Sequence, residues 1–232
     1  MTRPAVRTSL VVGAALAVAA TGSVGLGPRP AGAQQARLNA AKQVATAAIT
    51  RRVLALRELS TAAKATARLS DADKTALTNQ LQDQVNGLTS LNAKIQGDGD
   101  EAAVRADAGT IITDYRVYVL TIPKARGVVV ADIELTAEDR LSKLAGRLQT
   151  MIDQASGKDT AKARADLASL QAKLTSVTGM VSPLPAALLA LQPPGYPGNR
   201  TTLEQARATL RTGRQTLGDA ASLARTVITD LK

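Results

Sequence analysis

Two of the three aromatic side chains in this 232-residue sequence fall within one stretch, Asp114-Tyr115-Arg116-Val117-Tyr118-Val119-Leu120-Thr121-Ile122-Pro123-Lys124. Phenol hydroxyls donate and accept hydrogen bonds, and guanidinium and ammonium groups hold anions. A proline inside an otherwise helical pattern kinks or breaks the helix near Thr121-Ile122. A small pocket at that bend makes Tyr115, Arg116, Tyr118 and Lys124 the candidate ligand-binding residues. The competing reading, and the one adopted as the expectation, is structural. Both tyrosines then lie on one helical seam and plug a core otherwise built of Ala and Leu, with their hydroxyls at its edge. Arg116 and Asp114 are two residues apart, so they diverge around a helix, and Arg116 must look to another helix or to water.

Other chemistries are closed off by composition. The sequence has no Cys and no His. It therefore offers no thiol nucleophile, no imidazole base, no Ser-His-Asp triad and no ordinary zinc or haem ligands. Carboxylate pairs remain, of which Glu138/Asp139 is the best example. Their position after Thr136 reads better as acids at a helix N-terminus. The expectation is a non-enzymatic protein with no cofactor and no metal.

Residues 1–33 have the pattern of a secretory signal peptide. Arg3 and Arg7 precede an apolar run from Leu10 to Ala20, too short to span a bilayer comfortably. Ala31-Gly32-Ala33 then offers an A-x-A cleavage site before Gln34. No Arg-Arg pair marks the twin-arginine route, and no Cys is present to carry a lipid. The expected product is extracellular or at the cell surface, exported by a cleaved leader and not lipidated. Loss of Arg3, Arg7 and Arg29 lowers the net charge from +10 to +7.

Positioning falls to long helices. From residue 34 to 232 the sequence is rich in good helix formers, and Val128-Val129-Val130 is nearly the only strand signal. Apolar residues recur at alternating steps of three and four. Such seams run from Leu203 through Leu210, Leu217 and Ala224 to Leu231, and from Leu167 through Leu174 and Val181 to Leu191. Others run from Val104 through Ile111, Tyr115 and Tyr118 to Ile122, and from Leu141 through Leu148 to Ala155. Leu77 to Ile95 forms a looser stripe, and the Ala-rich first helix has Ile49, Val53, Leu56 and Leu59 on its best face. Start signals stand at Ser70/Asp73, Asp98/Glu101, Thr136/Asp139, Asp159 and Thr201/Glu204. Residues 192–199 are the clearest loop, and Pro183 with Pro185 predict a bend rather than a stop. Short turns make neighbouring helices antiparallel. The fold class is all-α: a single elongated antiparallel helical bundle over 34–232, with coiled-coil-like seams and about five to six long helices.

The Tyr-Arg-Val-Tyr…Pro-Lys motif, with Gly87-Leu88-Thr89-Ser90-Leu91 before it and the Tyr196 to Asn199 loop after it, resembles uncharacterised exported all-helical proteins of high-GC Gram-positive bacteria. The similarity covers most of 70–232. It implies an exported helical protein and brings no activity or residue roles with it.

Charge suggests partners. Residues 34–69 carry +6, residues 192–232 carry +3 and residues 70–100 carry −3. Were the first and last helices neighbours, they would form one basic face, suited to an anionic wall polymer or a lipid surface. Nucleic acid is not expected, because export and the lack of an aromatic stacking platform count against it. The expected function is a structural or interaction protein of the cell envelope or extracellular space, through self-association or an envelope protein. The alternative is a binding module for an anionic wall polymer, lipid surface or small ligand.

Overall fold

A computed structural model describes residues 31–66, 69–155 and 160–231. Among them the chain is about nine-tenths helical and has no strand. The elements are α1 (Ala31–Ala65), α2 (Asp71–Gly97), α3 (Glu101–Thr113), a π-helical turn (Val117–Thr121), α4 (Ile122–Gln154), α5 (Ala161–Val181), α6 (Leu184–Leu189), a 3-10 turn (Pro193–Gly195) and α7 (Asn199–Asp230). Five of these helices are long, as the seams predict. The leader reading falls on residues 1–30, outside the described residues, and Ala31–Ala33 form the first turn of α1. The Asp159 cap also lies outside them.

Antiparallel pairing is visible in the cross-helix bonds. Lys42 donates to the Gln96 carbonyl (2.7 Å) and Thr46 to Asn92 (2.8 Å), so α1 and α2 run in opposite directions. Lys162 meets Asp230 at 2.6 Å and Lys173 meets Asp219 at 3.2 Å, which does the same for α5 and α7.

The seams bury two hydrophobic cores that share α4. The first joins α1, α2 and α3 to Val117, Leu120 and the start of α4, and takes in Leu188, Leu203 and Ala206 from α6 and α7. The second joins α4 from Ala131 onward to α5 and α7. Leu184 packs against both. Each fully buried leucine contributes roughly 1.5–3 kcal/mol. At 1.5 Å per residue α4 is about 50 Å long, enough to pass through one core and into the next.

Several boundaries differ from the sequence expectation. Thr136 starts no helix. It sits inside α4, where its hydroxyl donates to the Asp132 carbonyl (2.7 Å) one turn back, a bond that lets threonine stay within a helix. Val128 to Val130 belong to the same helix. Asp100, not Asp98, caps α3 by accepting from the Ala103 amide (2.9 Å). Ser70 caps α2 as expected (3.1 Å from the Asp73 amide), while its own amide donates to buried Asp132 of α4 (3.1 Å). α7 begins at Asn199, two residues before Thr201. α1 packs on α2 and α3, and α7 on α5 and α4, so the first and last helices do not lie along each other as a single basic face.

The third seam is not one helix. α3 ends at Thr113, and the break lies at Tyr115-Arg116 rather than at Pro123. Arg116 adopts φ 45°, in the left-handed region. A helix end accommodates that conformation, usually with glycine. For arginine it costs on the order of 1 kcal/mol, offset in part by its Nε, which donates to the Thr113 carbonyl (3.1 Å). The chain then re-enters helix through the wide π turn, where the Ile122 amide reaches the Val117 carbonyl. Pro123 follows in the first turn of α4, where its missing N–H leaves little unsatisfied. At the other proline site the expected bend is a stop: α5 ends at Val181 and α6 begins at Leu184, after Ser182 and Pro183, which keep right-handed angles.

Candidate functional site

The break turns two tyrosines that sequence spacing put on one seam to different places. Tyr115 packs into the first core: a Cβ on Gly87 would lie 2.7 Å from its hydroxyl and 2.9 Å from its ring. Burial pushes its phenol pKa up. Tyr118 is 50% exposed and is not a core plug. The π turn also leaves Val119, its neighbour, exposed. Lys124 goes the other way. It is buried, donating to Gln80 Oε1 (2.7 Å) and to the Leu191 carbonyl (2.9 Å), and desolvation lowers its pKa to about 8. Gln80 in turn donates to the Leu189 carbonyl (3.0 Å), so the pair satisfies the open C-terminal end of α6.

Tyr118 forms one wall of a groove of about 250 Å3, with Val119 and Pro123 beside it. The facing wall comes from the 192–199 loop and the first turns of α7: Tyr196, Arg200, Leu203, Glu204 and Arg207. Arginines sit on both tyrosine rings. The Arg52 guanidinium carbon lies 5.1 Å from the Tyr118 ring centre, and that of Arg116 lies 4.8 Å from the Tyr196 ring centre. These are cation–π distances. Each spans two elements: α1 to the π turn, and the α3 end to the 192–199 loop. The strained Arg116 backbone is therefore at the point where its side chain reaches across to Tyr196.

Two guanidiniums, Arg200 and Arg207, thus line this groove with one carboxylate, Glu204, and two more, Arg52 and Arg116, lie on the rings of its tyrosines. That carboxylate is held by Arg200, whose Nε donates to it at 2.8 Å. Glu204 also raises the Arg200 pKa. An excess of fixed positive charge beside low-dielectric ring faces concentrates anions.

No family model, curated protein or solved structure matches the chain. Site roles therefore come from this geometry alone.

Of the four sequence candidates, the structure puts Tyr118 in the groove wall and Arg116 on the Tyr196 ring, packs half-buried Tyr115 against the first core and buries Lys124. Arg52, Tyr196, Arg200 and Arg207 were missed. The one signal for Tyr196 was its rarity as the third aromatic, in the clearest loop of the chain. Nothing in the spacing of Arg52 pointed to Tyr118. A larger, open depression of about 470 Å3 lies between α1 and α2, lined mainly by amide and hydroxyl side chains. Its polar groups bond to one another, with Gln96 donating to Thr46 (2.8 Å) and Thr46 to Asn92. Glu138 and Asp139 sit in mid-helix, not at an N-terminus. They are engaged with Ser142 (2.7 Å) and Lys143 (2.6 Å), one turn on.

Proposed function

We propose that this chain is an exported, non-enzymatic interaction protein of the cell envelope or extracellular space, and that the groove between Tyr118 and Tyr196 binds an anionic ligand. One observation carries the reading: Arg200 and Arg207 line a two-tyrosine groove whose single carboxylate is already paired, while Arg52 and Arg116 add their charge from the tyrosine rings. Export rests on the leader pattern of residues 1–33. Among the described residues no helix is long and apolar enough to cross a membrane. The non-enzymatic part rests on a sequence without Cys or His and on the engaged state of Glu138 and Asp139.

Co-sedimentation tests the binding. Wild type should be retained on purified anionic wall polymer or anionic vesicles at low salt and released by about 0.5 M, as the Debye length shrinks. An Arg200→Gln/Arg207→Gln variant should be retained much less. Equal retention of both proteins, or retention indifferent to salt, would contradict the reading. N-terminal sequencing of the exported product checks the leader, with Gln34 as the first residue.

A further inference from the structure

Resting on that reading, we infer that the groove is the mouth of a longer track, and that its ligand is an extended chain of repeating phosphate groups laid along α7 rather than a single small anion. Arg200, Arg207, Arg211 and Arg214 are all exposed and are separated by seven, four and three residues. At 100° per residue they fall within about 60° of one another, on a stripe about 21 Å long. Arg126 of α4 continues the helical face of Val119 and Pro123 and is exposed too.

Charge on α7 is sorted by side. Its aspartates, Asp219 and Asp230, are both engaged by lysines of α5. Among the described residues the arginine stripe meets two carboxylates: Glu204 on Arg200, and Glu134, whose Oε1 lies 3.6 Å from Arg214. Arg207 and Arg211 have no ion-pair partner among the described residues. Like charges at adjacent turns repel, so a ligand that neutralises several at once is favoured over one that neutralises a single group.

The choice of phosphate follows from the residue type. α7 carries arginine and no lysine. The planar guanidinium fork binds phosphate oxygens in pairs. A lipid surface fits less well, because exposed large apolar residues stand beside the track only at its mouth, as Tyr118 and Val119, and none lies on α7. Single-stranded nucleic acid fits less well too, because α7 carries no aromatic ring on which successive bases could stack along the stripe.

The experiment titrates the full exported chain with inorganic phosphate, tripolyphosphate, long-chain polyphosphate, a purified polyol-phosphate wall polymer and anionic vesicles. Affinity should climb with chain length until the ligand spans about 21 Å. The log–log salt slope for the long chain should be about −3 for four contacts. Arg211→Gln, outside the groove, should weaken the long chain roughly tenfold and reduce its salt slope by about one contact, while leaving tripolyphosphate binding unchanged. Arg207→Gln should weaken both. Comparison of polyphosphate with the wall polymer separates the two sources of phosphate. Length-independent affinity with a silent Arg211→Gln would overturn the track and leave the groove standing. Tighter binding to vesicles than to any phosphate chain would also overturn it. Failure of every anion to bind would sink the groove reading itself.

Discussion

Tyr115 and Tyr118 lie three residues apart and do different work. Tyr115 closes the first core against Gly87, and Tyr118 stands half in solvent under Arg52. Tyr115→Ala should therefore cost roughly 2–4 kcal/mol in chemical denaturation, as a cavity mutant. Tyr118→Ala should cost less than about 1 kcal/mol and act on anion binding instead. Equal losses of stability would return Tyr118 to the core. Arg116 holds a backbone conformation that glycine adopts freely. Arg116→Gly should leave the melting temperature unchanged or raise stability by about 1 kcal/mol, yet weaken anion binding through loss of the contact to Tyr196. Such strain at a binding residue is common where the side chain must be aimed. Two buried ionisable groups set the pH response. Glu134 packs on Gly213, accepts no hydrogen bond at either oxygen, and is pushed up by desolvation to about 7, with Arg214 opposing. Its folded state holds the proton more tightly than the unfolded chain, so stability is highest below the ordinary carboxylate range and falls as pH rises through about 7. Lys124, lowered to about 8, acts in the opposite sense, and stability is regained as pH rises from there toward its ordinary value. Each limb is worth at most about 3 kcal/mol. Urea midpoints measured against pH should pass through a minimum near pH 7–8, and Glu134→Gln should flatten the acid-side limb.

At the scale of elements, the sequence was most legible where apolar spacing stayed regular. Every seam residue of α7 from Leu203 to Val227 is buried, as are Leu167, Leu170, Leu174, Val177 and Val181 of α5. Leu174→Asp should accordingly destabilise the protein by several kcal/mol or prevent folding, because it buries an unpaired charge. Exposed Gln171→Asp should be nearly silent. Thermal melts of the two variants decide it, and similar losses would mean that the α5 face is misassigned. Breaks were harder to read, for two reasons. Tyr115 and Tyr118 keep helical spacing across a chain that leaves the helix at Arg116, and a positive φ at an arginine has no signature in sequence. Pro123 drew attention as a breaker, yet proline is well tolerated in a first turn, so it marks where α4 begins. Thr136 looked like a cap because its hydroxyl can serve a neighbouring amide or a preceding carbonyl equally well. Its position in mid-helix is decided by burial on both sides, from Ala131 and Asp132 to Ala145. The groove was half legible for the same reason. Arg116 and Tyr118 stood out locally, but Arg52 and Tyr196 arrive through tertiary packing.

At the scale of the whole molecule, the two cores share α4, which passes from one to the other with no loop between them. The part-buried Gln80–Lys124 pair ties α2 and α4 to the end of α6, and the arginine–tyrosine groove opens beside it at Pro123. Helix formation is costly to start and favourable to continue, so melting one core exposes half of α4 and removes support from the other. Calorimetry should therefore find one transition, with the van't Hoff enthalpy equal to the calorimetric enthalpy. Replacing half-buried Ile133 with glycine, just past the boundary at Ala131, should weaken this coupling and resolve two transitions. A single sharp transition in that variant would mean that contacts other than α4 hold the cores together. The consequence of the shared helix is thermodynamic cooperativity: two small cores, each marginal by itself, unfold as one unit or not at all.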